Sequence, residues 1–278
     1  MRQLLPLFVF LMLAACGGKN DVGANAAPPQ AAPSASPEAK RLLEEAIDDF
    51  TAGRIDISLA KLEQAAEHEP RNAKVQAWLG RAYSGMARLS EAKLAHREAA
   101  RFAGDATLRM EQSYLAAAAA LQLARARMDK GDYSQAAAQA RDALADNPEL
   151  VEARALLAGA LFHLQEFREA LAEYQRVSEE TAGAARRDAL NWVAHCHLRL
   201  RDGPAAEQVF NALIREGYTA NDVFGWRAAC RKERKDYEGA RMDLLRALDV
   251  ASSEEMHKDL QKELRAVEAL ITGAENGK

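Results

Sequence analysis

The sequence has 278 residues, of which 49% are hydrophobic and 6% aromatic, and its formal net charge is −4 at pH 7. This hydrophobic content is that of a folded protein and excludes disorder along the whole chain. Lysine and arginine are interleaved with aspartate and glutamate along most of the chain. A clustered basic surface for phosphate contacts is therefore not expected, and we predict no binding to nucleic acid.

The N-terminal segment has the layout of a signal peptide. One positive charge at Arg2, an apolar run over residues 4–13 and two alanines come before Cys16. The apolar run is about half of the roughly 20 residues that a membrane-spanning helix needs. The pentapeptide at 13–17, LAACG, resembles the lipobox of bacterial lipoproteins. This resemblance implies that residues 1–15 are removed and that acyl chains such as palmitate on Cys16 hold the protein on a membrane. The alternative is an ordinary secretory signal followed by an incidental cysteine.

The next segment, residues 16–37, is rich in glycine, alanine, proline and serine. It has no apolar periodicity that could bury one face of a helix or strand. We therefore predict that it is a flexible tether between the lipidated cysteine and a folded body.

Residues 38–254 consist of amphipathic helical stretches separated by short turns, with no useful strand pattern. The turn signals divide this region into six pairs of helices. A small residue follows each turn at separations of 34, 44, 34, 36 and 34 residues: Ser58, Ala92, Ala136, Ala170, Ala206 and Ala240. Small residues are needed where the two helices of a hairpin cross closely. Residues 255–278 are predicted to form a helix that caps the last hairpin, followed by a frayed C-terminus.

The 34-residue unit with Leu79-Gly80 and Tyr83 on its first helix, and with Ala92 and Ala99 on its second, resembles the tetratricopeptide repeat (TPR) family. The resemblance implies an all-α, right-handed superhelical solenoid of about six helical hairpins, in which the first helices line a concave groove for an extended peptide or a helix. The 44-residue separation places about ten extra residues, Thr107–Ala116, before the third hairpin. They predict that its first helix is longer by nearly three turns.

All three tryptophans, Trp78, Trp192 and Trp226, stand two residues before the small residue of a first helix. Partly exposed tryptophan beside arginine is typical of interaction hot spots, although each ring could instead pack between neighbouring hairpins. The predicted partner-binding residues all lie on first helices: Trp78, Arg81, Arg125, Phe162, Trp192, His195, Arg199 and Trp226.

The sequence contains no motif that indicates catalysis, a cofactor or a small-molecule substrate. His195-Cys196-His197 could suggest a metal site, but residues one and two apart point away from each other on a helix. We therefore predict that the protein is not an enzyme and holds no metal. Cys196 and Cys230 are predicted to be free thiols, with a disulfide as the alternative.

Together these features predict a lipid-anchored scaffold or adaptor in a bacterial cell envelope, on the outer membrane and facing the periplasm. Its expected partners are envelope proteins bound in the groove, and its expected role is to aid assembly or regulation of pilus and secretin, outer-membrane or cell-wall machinery. The alternative is a component that binds exopolysaccharide or belongs to its export complex.

The lipid anchor is tested by the substitution Cys16→Ser. Because this removes the site of acylation, we expect the protein to move from the membrane fraction to the soluble fraction. Immunoblotting of the two fractions measures the change, and unchanged partitioning of the variant would contradict the anchor.

Overall fold

A computed structural model of the chain describes residues 36–218 and 221–276. Within these ranges the chain forms thirteen α-helices and no β-strand. The helix bounds are α1 Pro37–Thr51, α2 Ile55–His68, α3 Ala73–Gly85, α4 Leu89–Phe102, α5 Ala106–Asp129, α6 Tyr133–Asp146, α7 Val151–His163, α8 Phe167–Glu180, α9 Gly183–Arg199, α10 Gly203–Arg215, α11 Asn221–Glu233, α12 Tyr237–Asp249 and α13 Glu254–Asn276. The predicted signal peptide, Cys16 and most of the predicted tether lie outside the described residues.

Consecutive helices pack against each other and form six hairpins, from α1–α2 to α11–α12, followed by α13. The odd-numbered helices α1 to α11 are the first helices of these hairpins, and the even-numbered helices are the second. This arrangement confirms the predicted all-α helical repeat fold. None of the helices in the described part of the chain is both long and apolar enough to cross a membrane.

Each of the six hairpin turns contains a residue with positive φ. These residues are Gly53, Ala87, Gly131, Gln165, Arg201 and Lys235. In the second hairpin, the backbone N–H of Ala87 donates to Ser84 O at 3.0 Å, and that of Arg88 donates to Tyr83 O at 2.9 Å. These bonds satisfy carbonyls at the end of the first helix. Positive φ costs about 1–2 kcal/mol at a residue other than glycine, so packing of the two helices must offset this cost in four of the six turns.

The small residues that define the repeat in the sequence are buried where the helices cross. Ser58, Ala92, Ala136, Ala170, Ala206 and Ala240 are all fully buried. Matching small residues of the first helices are buried as well: Ala46, Gly80, Ala124, Ala158, Ala194 and Ala228. Because neither helix has a bulky side chain at the crossing, the two backbones approach closely and larger residues fill the space around them.

The first helix of the third hairpin, α5, has 24 residues, whereas α3 and α7 have 13 each. This confirms the predicted lengthening. The extension packs against α4. Gln112 is fully buried in the extension, and its Oε1 lies 2.7 Å from Nδ1 of His96 on α4. Met110 and Tyr114 remain exposed.

The helix α13 packs against α12, as expected for a cap. Val267 is buried there with Leu244, and Leu260 and Leu264 pack beside them. At the start of this helix the hydroxyl of Ser253 accepts from the backbone N–H of Met256. The cap thus covers part of the last hairpin with apolar surface.

Gly80 on α3 lies directly against the ring of His96 on α4. A Cβ atom added there would lie 2.5 Å from the ring of His96, which is itself buried and hydrogen-bonded to Gln112. Burial also lowers the pKa of His96, so its ring is neutral near pH 7. The ring therefore occupies the space that any side chain larger than hydrogen would need.

We expect Gly80→Ala to lower the free energy of unfolding by about 1–2 kcal/mol. The overpacking cost of about 1–3 kcal/mol outweighs the gain of up to about 1 kcal/mol in helix propensity. Urea denaturation measures the difference. Gly159→Ala in α7 is the matched control, because a Cβ there makes only ordinary contacts at 3.5 Å or more. The loss in the double variant Gly80→Ala/His96→Ala should be smaller than the sum of the two single losses. Additive losses would contradict the proposed clash.

Candidate functional site

The first tryptophan of the predicted groove, Trp78, lies partly buried between the first two hairpins. Its ring centroid is 5.5 Å from that of Phe50 on α1, in an edge-to-face arrangement. The guanidinium of Arg81 lies 4.7 Å from the Trp78 ring centroid and also pairs with Glu111 on the α5 extension at 2.9 Å. Much of the surface of Trp78 is therefore used in packing within the protein.

Four other predicted residues form one continuous series of ring contacts across α7, α9 and α11. Phe162 lies 5.1 Å from Trp192, Trp192 lies 5.7 Å from His195, and His195 lies 5.2 Å from Trp226, all measured between ring centroids. We call Phe162, Trp192, His195 and Trp226 the aromatic row. Because successive first helices lie side by side in a stack of hairpins, residues up to 64 positions apart in the sequence belong to one row.

Residues of the second helices support the aromatic row from beneath. Tyr174 on α8 is buried and stacks on Trp192 with a centroid distance of 5.7 Å and an interplanar angle of 7°. Burial raises the pKa of Tyr174, so its hydroxyl stays protonated at physiological pH. Phe167 contacts Phe162 at 5.3 Å, and the guanidinium of Arg199 lies 4.9 Å from the Phe167 ring. These contacts hold one side of the row in place.

The outer side of the row is open to solvent. Trp192 is 38% exposed and Trp226 is 44% exposed, which is unusual for the largest apolar side chain. Two clefts flank them. The α7–α9 cleft, of about 490 Å³, is lined by Val151, Ala155, Tyr174, Ala185, Ala189 and Trp192 among others. The α11–α13 cleft, of about 520 Å³, is lined by Gly225, Trp226, Ala229, Leu244, Leu260 and Val267 among others. Each cleft therefore has a mostly apolar interior with a tryptophan in its wall.

Charged side chains surround the α7–α9 cleft. Glu152 lines the cleft and forms an ion pair with Arg125 on α5. Arg125, one of the predicted partner-binding residues, is thus next to the cleft without lining it. Asp188 also lines the cleft and is exposed. Within the described part of the chain, the side chain of Asp188 makes no hydrogen bond or ion pair.

The α11–α13 cleft has a similar rim. Lys232 on α11 pairs with Glu263 on α13 at 2.6 Å and closes one side. Asp259 lines the same cleft and has no ion pair among residues 36–218 and 221–276. From the sequence, α13 was expected only to cap the last hairpin, and the place of Asp259 and Glu263 at a cleft was not predicted. The spacing of Asp259 and Glu263, four residues apart and hence on one helix face, was the signal that could have shown them.

A buried ionic cluster fixes α11, which carries Trp226. The guanidinium of Arg227 donates to both carboxylate oxygens of Asp243 on α12 and to Oδ1 of Asn211 on α10. Arg231 reaches Asp243 at 3.0 Å and Glu207 at 3.2 Å. Hydrogen-bonded buried pairs of this kind constrain geometry strongly, because breaking one partner leaves an uncompensated charge. These ion pairs fix the orientation of α11 against α10 and α12, while Trp226 lies on the outer side of the helix.

The three residues of His195-Cys196-His197 point to different surroundings. His195 belongs to the aromatic row, Cys196 is buried in the hydrophobic core, and His197 Nδ1 lies 3.5 Å from a carboxylate oxygen of Asp202. In the described ranges, no group of three or more histidine, cysteine, aspartate or glutamate side chains is placed to hold a metal ion.

Cys196 and Cys230 are both buried and free. Burial raises the pKa of the Cys196 thiol to about 12 and that of the Cys230 thiol to about 11. Both sulfurs are therefore protonated at physiological pH, and neither is a reactive nucleophile.

We expect peptides containing Cys196 or Cys230 to have the same mass with and without reductant. In the native protein at pH 8, both thiols should react with iodoacetamide much more slowly than they do in denaturant, because little thiolate forms and access is blocked. Mass spectrometry measures both properties. A cross-linked peptide lighter by two hydrogens would contradict the free thiols.

Comparison with known proteins agrees with this geometry. Two family models described as tetratricopeptide repeat match the sequence, one over residues 127–193 and the other over residues 43–84 and 166–221. No curated protein sequence matched the chain. Among solved structures, YrrB, described as a TPR protein with an unusual peptide-binding site, is similar with a TM-score of 0.51 and 18% identity, covering 72% of this chain and 97% of that chain.

The structure of Naa15/Naa10 bound to HypK-THB is also similar, with a TM-score of 0.56 and 14% identity. The match covers 83% of this chain and 34% of that one, so this chain corresponds to about a third of the matched protein. At these identities the likeness shows the fold. The repeat spacing, the hairpin geometry and both family models lead to one conclusion: the chain is an all-α helical repeat protein in which residues 43–84 and 127–221 match tetratricopeptide repeats.

Proposed function

We propose that the protein binds other proteins through the face formed by its first helices, and that the aromatic row is the centre of the binding site. The single observation that carries this proposal is the exposure of Trp192 and Trp226 beside two apolar clefts. Exposed aromatic residues next to pockets are typical of interaction hot spots. YrrB, which has the same fold, is described as having a peptide-binding site, and this supports the proposal by analogy.

The size of the site favours a peptide or helix as the bound element. Trp192 and Trp226 both contact His195, so a few residues of extended chain, at about 3.3 Å each, can reach from one tryptophan to the other. Each cleft can hold one or a few side chains. An extended segment or one face of a helix could thus place side chains in both clefts at once.

We further propose that the protein is a lipid-anchored scaffold of a bacterial cell envelope. It is held on the outer membrane and faces the periplasm, where it binds its partners. The support is the residue pattern around Cys16 and the composition of residues 16–37. In this setting the partners are envelope proteins, and the role is to aid assembly or regulation of an envelope complex such as pilus, secretin, outer-membrane or cell-wall machinery.

A second candidate is binding of exopolysaccharide, because the aromatic row exposes ring surface beside carboxylates. The apolar face of a sugar ring can pack on such a surface. Glycan binding would use the outer ring surface and leave the apolar clefts unfilled, whereas a protein partner would fill them.

A photo-crosslinking amino acid in place of Ala185, which lines the α7–α9 cleft, distinguishes these candidates in cells. We expect a discrete protein adduct that mass spectrometry can identify. The matched control position is Met242, which is exposed on the second helix α12. Equal adducts at both positions, or retention of the protein on an oligosaccharide matrix without any protein adduct, would contradict the proposal.

Substitution of the exposed tryptophans tests the aromatic row directly. We expect Trp192→Ala and Trp226→Ala each to weaken binding of the crosslinked partner by roughly 30-fold, as at a hot spot worth about 2 kcal/mol. Trp226→Ala should lower the unfolding temperature less than Trp192→Ala, because Trp226 is 44% exposed whereas Trp192 also stacks on the buried Tyr174. Met242→Ala, which removes a more exposed apolar side chain, is the control and should leave affinity unchanged. Unchanged affinity in both tryptophan variants would contradict the role of the row.

A further inference from the structure

The unpaired charges of the two clefts indicate the chemistry of the partner. We propose that the C-terminal half of the first-helix face binds a protein segment in which lysine or arginine side chains stand next to apolar ones. This inference rests on the proposed function and specifies which partners it selects.

The balance of charge at each cleft is negative. At the α7–α9 cleft, Arg125 is already paired with Glu152, and this leaves Asp188 without a cationic partner. At the α11–α13 cleft, Lys232 is already paired with Glu263, and this leaves Asp259. Each cleft therefore combines an apolar interior, a tryptophan wall and one carboxylate whose charge the described residues do not neutralise.

Asp188 and Asp259 each lie near an exposed tryptophan, and a basic side chain could contact both groups at once. Asp188 precedes Trp192 by four residues on α9, so the two lie one above the other on the same helix face. Asp259 faces Trp226 across the α11–α13 cleft. Lysine and arginine have an apolar stem and a charged head, so the stem can lie along the indole while the head pairs with the carboxylate.

The sequence repeats this pattern in the C-terminal half of the stack alone. Asp222 precedes Trp226 by four residues, as Asp188 precedes Trp192, and the two pairs are 34 residues apart. At the first tryptophan the equivalent residue is Lys74, with the opposite charge. The acidic character thus accompanies the two exposed tryptophans and not the packed Trp78.

An anionic partner is disfavoured by the same arrangement. A carboxylate-terminated or phosphorylated segment would bring negative charge to Asp188 and Asp259, and like charges in contact reduce affinity and slow association. The N-terminal part of the groove could tolerate such a segment, but there Trp78 and Arg81 are occupied by Phe50 and Glu111.

The test uses the purified full chain and three short synthetic peptides that share the same leucines but differ in the residues between them, which are lysine, glutamate or glutamine. Intrinsic tryptophan fluorescence reports binding at Trp192 and Trp226. We expect the lysine peptide to bind at least about tenfold more tightly than the glutamate peptide, and its affinity to fall as salt is added.

Matched charge variants then locate the effect. Asp188→Asn and Asp259→Asn should each weaken binding of the lysine peptide about threefold, as expected for an exposed ion pair, and leave the glutamine peptide unchanged. Glu179→Gln removes an exposed carboxylate from the second helix α8 and is the control that should have no effect.

The possible failures of the two proposals are distinguishable. Equal or tighter binding of the glutamate or glutamine peptide, with loss of binding in Trp226→Ala, would overturn the charge preference but keep the protein-binding face. Binding of none of the peptides would overturn the inference, and the adduct at position 185 would then decide separately whether the face binds a protein.

Discussion

The structure depends on the close crossing of two helices within each hairpin. At every crossing a small residue of the second helix, such as Ala92 or Ala136, is fully buried against the first helix. In the second hairpin not even a Cβ fits at Gly80, because it would lie 2.5 Å from the ring of His96. Since this contact sets the distance between the helices, it also sets how one hairpin stacks on the next and where the outward-facing residues of the first helices stand.

The binding face is a consequence of that stacking. The stacking places one face of α7, α9 and α11 side by side, and so Phe162, Trp192, His195 and Trp226 form one row. Two kinds of interaction keep it in place from within: aromatic stacking of Tyr174 on Trp192, and the buried Arg227–Asp243 pair behind Trp226. Partner contacts therefore need not order these residues, which lowers the entropic cost of binding.

The two halves of the stack differ in what they leave available. In the N-terminal half, Trp78 contacts Phe50, and Arg81 pairs with Glu111 of the lengthened α5. These contacts within the protein leave less of the groove surface available to a partner. In the C-terminal half, the clefts beside Trp192 and Trp226 stay open and keep an excess of negative charge. Specificity is therefore expected to reside in the last three hairpins and α13.

Much of this architecture could be read from the sequence, because small residues at a 34-residue spacing and helical amphipathicity are local patterns that the fold must obey. The hairpins, the long α5 and the shared register of the tryptophans follow from those patterns. Tertiary structure alone decided which tryptophans are occupied, that α5 packs on α4 through Gln112 and His96, and that α13 supplies Leu260 and Asp259 to a cleft. These features depend on contacts between segments far apart in the chain, and a periodic pattern fixes the face a residue lies on but not the neighbour that covers it.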